Sequence, residues 1–150
     1  MKLLIPPPVV LAIVAAVMWG VDHVFDAGRI TADWRIPVAI ALLATSMFLM
    51  SVAVATMLRA RTTIDPRKPS RATHLVTGGV FRLSRNPIYL ADVLLLAALA
   101  VWLGQPANAA WLALFVWYID RFQIRAEEQA LRTLFGADYA AWCHRVRRWL

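Results

Sequence analysis

The chain has 150 residues, 61% of them hydrophobic and 17% charged, with a mean hydropathy of +0.60 and a formal net charge of +7. So apolar and uniform a composition excludes an ordinary soluble domain and a two-domain protein, and implies one integral membrane domain over 1–150. A single cysteine, Cys143, excludes an intramolecular disulfide and a cysteine-rich metal site, and is read as incidental to a tail helix.

The first apolar run is Pro8 to Phe25. Prolines at 6 to 8, the polar ending Trp19, Asp22, His23 and the lack of a small-residue cleavage pattern make it a retained span rather than a signal peptide. The second run, Ile36 to Leu58, opens with Pro37 at a helix start and closes on Arg59. The third, Pro87 to Leu103, and the fourth, Asn108 to Ile119, are short and joined by Gly104-Gln105-Pro106-Ala107-Asn108, which predicts an antiparallel helical hairpin. No glycine or proline falls between Trp111 and Leu134, so the fourth helix is expected to run on through Tyr118, Asp120 and Arg121. The expected fold is all-α: a membrane bundle of about four spans, 8–25, 36–58, 87–103 and 108–121, with an amphipathic helical tail over 122–150.

Charge sets the expected orientation. Arg59, Arg61, Arg67, Lys68, Arg71, Arg82 and Arg85 face only Asp65 in the 59–86 loop, whereas Arg29 and Arg35 are balanced by Asp26 and Asp33 in the first loop. The positive-inside rule then puts residues 59–86 and the arginine-rich tail in the cytoplasm, with both termini there, Lys2 included. The membrane expected is a bacterial inner membrane, whose anionic headgroups attract the net positive charge. The basic residues flank apolar runs and form no independent basic domain, which argues against nucleic-acid binding.

The junction Arg82-Leu83-Ser84-Arg85-Asn86-Pro87-Ile88-Tyr89 puts guanidinium, amide and phenol groups where a basic loop becomes an apolar helix. Pro87 suits a first helical turn and disfavours helix at Asn86, which is the expected N-cap. One turn on, Asp92 is an intramembrane carboxylate, costly unless it faces a wet cavity or hydrogen-bonds a neighbouring helix; both readings stay open. A second polar cluster, Glu127-Glu128 followed by Phe135-Gly136 and Tyr139, can fold back onto the junction. Arg121, Arg125, Glu128 and Arg132 also fit a solvated ladder of helical ion pairs, and adjacent helical positions diverge by about 100°, so only one of Glu127 and Glu128 is expected to face inward. The choice falls on Glu128, which aligns with Ile124, Leu131 and Phe135. Gly136 is expected to end that helix, Tyr139 and Trp142 to start another, and Arg147-Arg148-Trp149-Leu150 to form an interfacial anchor. His23, His74 and His144 show no metal-ligand spacing, and no phosphate loop, nucleophile elbow or Gly-x-Gly-x-x-Gly occurs.

Taken jointly, Thr77-Gly78-Gly79-Val80-Phe81-Arg82-Leu83-Ser84-Arg85-Asn86-Pro87-Ile88-Tyr89-Leu90, then Glu127-Glu128 and Phe135-Gly136-Ala137-Asp138-Tyr139, resemble the isoprenylcysteine carboxyl methyltransferase family, and the first motif resembles related phospholipid methyltransferases. The resemblance covers residues 62 to 150. It implies an integral membrane enzyme that uses S-adenosylmethionine, needs no metal, and methylates a lipid-like or small thiol, carboxylate or amine acceptor. It also implies that Phe81, Arg85, Asn86, Pro87, Tyr89 and Glu128 hold the cofactor, with Arg125, Glu127 and Asp92 as candidate catalytic groups and Arg121 nearby. Many family members have His where this chain has Asn86, which can exchange hydrogen bonds but not titrate near neutrality. Two alternatives are a membrane reductase using NADPH in a similar helical pocket and a non-catalytic helical scaffold.

Overall fold

The structure, a computed structural model, describes residues 5–24, 28–60 and 74–150. Lys2, Phe25, Asp26, Arg61, Asp65, Arg67, Lys68 and Arg71, on which part of the span and orientation argument rests, lie outside the described residues. Among the described residues five α-helical segments follow in order: α1 Pro7–Val24, α2 Arg35–Arg59, α3 Pro87–Leu103, α4 Asn108–Tyr118 and α5 Arg125–Arg145. A short 3-10 turn, Gly79–Arg82, precedes α3, and a π-helical turn, Ile119–Ile124, joins α4 to α5. No strand occurs among the described residues. Among the described residues two helices, α1 and α2, are long and apolar enough to cross a membrane, and α3 is a shorter apolar helix.

The hairpin expected at 104–108 is present, because Gly104 adopts the left-handed conformation (φ 71°) that ends α3 and lets α4 start four residues later. Opposite it, Arg35 at the start of α2 closes the same end of the bundle. Its Nε donates to the Val101 carbonyl at 3.0 Å and its Nη1 and Nη2 to the carbonyls of Ile30 and Trp102. These include terminal carbonyls of α3 that have no partner within their own helix, so a guanidinium is well matched there in both hydrogen bonding and dipole.

Helices α2 and α3 run antiparallel along a seam of small side chains. α2 buries Ala39, Ser46 and Ala53, seven residues apart each time, and α3 buries Ala91 and Ala98 at the same interval. Small residues let the backbones approach, and the Ser46 hydroxyl donates across the seam to the Ala91 carbonyl at 2.7 Å. The outer side of α2 exposes Ile36, Ile40, Leu43, Met47 and Phe48. Helix α1 packs Val10, Val14 and Met18 against Leu96 and Leu103 of α3 and Phe115 of α4. Its start is tied to the π turn by Gln123, whose Nε2 donates to the Ile5 carbonyl at 2.6 Å.

The helix begun at Asn108 continues past Tyr118, as its uninterrupted sequence implies, with a π turn at the changeover. Gly136 marks the break expected there. It takes a non-helical conformation with positive φ (46°, ψ −115°) that divides Arg125–Arg145 into two helices across a kink, the second of them carrying Tyr139 and Trp142. The kink turns Tyr139 and Trp142 onto Phe81 and Ala53, forming a second apolar core with Val146.

Candidate active site

Local chain geometry brings the junction together before any tertiary contact does. Gly79 (φ 58°) opens the 3-10 turn, Phe81 is buried within it, and the Trp142 indole donates to the Phe81 carbonyl at 3.3 Å. Asn86 sits at the N-cap position of α3 and its carbonyl accepts from Leu90 N–H at 2.9 Å, but its side chain makes no cap bond. The sequence expectation of a capping amide is corrected in this respect. The buried Ser84 hydroxyl accepts from the N–H of Asn86 itself (3.1 Å), and the Asn86 amide donates to the Arg148 carbonyl at 2.9 Å. Pro87 fills the first helical position and is buried.

Tyr89 and Arg85 then reach two different acids on α5. The Tyr89 hydroxyl donates to Glu127, and Arg85 Nη2 pairs with Glu128 Oε1 at 3.0 Å, both side chains of that pair being about nine-tenths enclosed (12% and 9% exposed). Arg85 Nη1 also contacts the Cys143 thiol, and its buried Nε has no hydrogen-bond partner among the described residues. Both acids of the pair reach the junction. They do diverge around the helix, but Arg85 and Tyr89, separated by the start of α3, approach α5 at two points and engage one acid each. Glu128 is therefore not a rung of a solvated ladder with Arg125 and Arg132. Arg125 is largely exposed and pairs with Asp120 (3.3 Å).

Glu128 has a second cation. Arg148 donates to it through Nε (3.1 Å) and Nη2 (2.7 Å) and to Asp120 through Nη1 (2.9 Å). Its hydrogen bonds to Glu128 hold the Arg148 guanidinium firmly charged, against the opposing effect of burial. Arg148, Asp120, Ser84 and Cys143 were not singled out as site residues from sequence. Arg148 reads there as a membrane anchor and Cys143 as incidental, and the one available signal was the crowding of arginines at the end of a chain with two acids to neutralise.

The carboxyl of Glu127 is pushed up to about 8, chiefly by burial and then by the adjacent Glu128 charge, with the Tyr89 hydrogen bond working against the rise. Tyr139, buried beside Glu128, has its phenol raised by burial first and by that carboxylate second, so it stays neutral. Asp92 is buried one turn into α3 from Tyr89, and takes no hydrogen bond or ion pair among the described residues. Ser46, a candidate partner for it, bonds to the Ala91 carbonyl instead. Among the described residues no group of three or more His, Cys, Asp or Glu is placed to hold a metal.

A sequence family described as phospholipid methyltransferase matches residues 34–138. Protein-S-isoprenylcysteine O-methyltransferase B of Arabidopsis thaliana is 27% identical over 146 residues, covering 97% of this chain and 74% of that protein. Protein-S-isoprenylcysteine O-methyltransferase A of the same plant is 35% identical over 72 residues, 48% of this chain and 36% of that one. An uncharacterized protein of Haemophilus influenzae is 42% identical over 65 residues, 42% of this chain and its own entire length. No solved structure matches.

Proposed function

This chain belongs to the phospholipid methyltransferase family, and from that premise we propose that it transfers a methyl group from S-adenosylmethionine to a lipid-like acceptor at one face of the membrane. The observation that carries the reading is the meeting of Arg85 and Tyr89 with Glu127 and Glu128, two stretches about forty positions apart, in an enclosed and charge-matched cluster. The residues present suit such a donor. Arg85 has a buried Nε still unpartnered and offers a guanidinium for a carboxylate, the acid pair offers a carboxylate for an ammonium, and Phe81 and Tyr89 offer aromatic faces for a cation or an adenine ring.

When bound, the donor would supply a methyl on a sulfonium, which passes to the acceptor by in-line displacement as the C–S bond breaks and the neutral thioether leaves with the electron pair. The protein's part is alignment and exclusion of water. Arg85, Asn86, Tyr89 and the acid pair fix the donor, with Phe81 and Pro87 forming apolar walls. An acceptor already ionised, such as a carboxylate or thiolate, needs no base; for an amine or hydroxyl, Glu127 or Asp92 accepts the proton, and Arg125 lies at the outer rim. Under this reading α1, α2, α3 and α4 with its π turn are four spans. The 59–86 segment and the tail from 122 face the cytoplasm of a bacterial inner membrane, as do both termini, and 1–150 is one domain. The acceptor enters sideways from the bilayer.

The test is incubation of the detergent-purified protein with methyl-labelled S-adenosylmethionine and a membrane lipid extract, followed by identification of the labelled product. Label in a lipid fraction is expected, with no turnover of NADPH. Absence of label together with retention of NADPH would turn the assignment to a reductase, and retention of neither would leave a scaffold.

The raised carboxyl of Glu127 gives the reaction a pH signature. Whether Glu127 faces a cation or accepts a proton, its ionised form is the working one. Transfer is expected to rise about tenfold between pH 7 and pH 9 and to lose that rise in Glu127→Gln. Stability follows the opposite course. The folded value lies above the unfolded one, so Glu127's contribution is intact below about 4.5 and is lost as pH climbs to about 8. Thermal melts of Glu127→Gln should therefore show less decline than wild type across that window.

A further inference from the structure

The last residues of the chain are built into the site. Val146 is buried with Ala53, Phe81 and Trp142, and Trp149 packs against the core made by α1, α3 and α4. Between these two apolar anchors the backbone is zipped to the junction. The Arg147 carbonyl accepts from Arg85 N–H at 3.0 Å, and the Arg148 carbonyl accepts from the Asn86 amide at 2.9 Å and the Ser84 hydroxyl at 3.3 Å.

We propose that Arg148 is a positioning residue of the active site: it locks Glu128 and Asn86 so that Glu128 serves to aim Arg85, and the carboxylate left to meet a ligand is Glu127. The proposal rests on the reading of the junction as the donor site. A carboxylate has about four lone-pair directions, and Glu128 already meets three N–H groups from two guanidiniums, at 3.0, 3.1 and 2.7 Å. That leaves a donor ammonium one open direction on Glu128, next to two guanidiniums whose charge repels it. Glu127 meets the Tyr89 hydroxyl and no cation among the described residues. The ion pairs agree with this division, since Arg85, Arg148 and Arg125 connect through Glu128 and Asp120 into one network that does not include Glu127. The bidentate grip on Glu128 while a third nitrogen reaches Asp120 also needs the planar fork of arginine, which lysine cannot reproduce. Arg148 lies beyond the residues matched by the family.

A double-mutant cycle on the full-length protein in detergent tests this. Dissociation constants for S-adenosylmethionine are measured by calorimetry on wild type, Arg148→Ala, Glu128→Gln and the double variant, each checked for folding by size exclusion and circular dichroism. Arg148→Ala is expected to weaken binding about tenfold, and less than about twofold once Glu128 is Gln, because the effect passes through that carboxylate. Arg148→Lys should fall between, and it replaces Arg148→Ala in the cycle if the alanine variant does not fold. Losses that add independently, or a folded Arg148→Ala protein with wild-type affinity, overturn the proposal alone. Wild-type protein that binds no S-adenosylmethionine overturns the donor-site reading and this proposal with it.

Discussion

Glu128→Ala is expected to lower stability by about 3–5 kcal/mol, because it strands a guanidinium in an enclosed site. Glu128 and Arg85 are 9% and 12% exposed at the side chain, so solvent offers little compensation. Arg148 keeps Asp120 as a partner after the change, but Arg85 keeps only its contact with the Cys143 thiol, which does not neutralise it. The cost arises from the charge left behind rather than from the methylene groups removed. A fall in Tm on the order of 10 °C is expected in detergent, followed by circular dichroism at 222 nm. Glu128→Gln, which keeps shape and one acceptor, should lose less. A Tm for Glu128→Ala within about 2 °C of wild type would mean that water reaches Arg85 freely, contrary to its burial.

At the other end of the bundle, Gly104→Ala is expected to cost about 2–5 kcal/mol through two additive effects. The left-handed backbone at φ 71° disfavours any L side chain, and a Cβ there would stand 2.6 Å from the Ile30 carbonyl and overlap the Arg35 guanidinium. Both neighbours are committed, since Ile30 N–H donates to the Gly104 carbonyl at 2.8 Å and Arg35 holds the end of α3. Relief would mean giving up the Arg35 bonds. Arg35→Ala should therefore be destabilising alone, yet reduce the further cost of Gly104→Ala. Four melting curves measure that coupling, and strict additivity would place the damage in the backbone conformation alone.

Much of the fold is legible in local chemistry. Pro87 marks the start of α3 to the residue, Gly104 marks its end, and the lack of breakers after Trp111 foretells a helix that passes Tyr118. These signals survive because each depends on a residue's own backbone preferences. The second half of the site depends on which cation reaches which acid across the fold, and composition is silent on that. Asn86 holds the N-cap position as its place before Pro87 implies, but its amide goes to the Arg148 carbonyl rather than back to α3, and that partner comes from a distant part of the chain. Arg148 looked like one more arginine near a membrane surface until Val146 and Trp149 docked its neighbours on either side. Gly136 divides two helices across a kink, and that boundary too is legible, because it rests on the glycine's own backbone freedom.

The π turn at 119–124 governs where the acid pair points. Such a turn amounts to one residue more than an α-helix needs to cover the same rise, and each residue advances the helix by about 100°. A chain one residue shorter between Tyr118 and Arg125 would have the same hydropathy profile and the same motifs, but Glu127 and Glu128 would swing away from Tyr89 and Arg85. Two sequences alike in every coarse property can thus differ in whether the acids find their partners, and the distinction lies in the spacing alone.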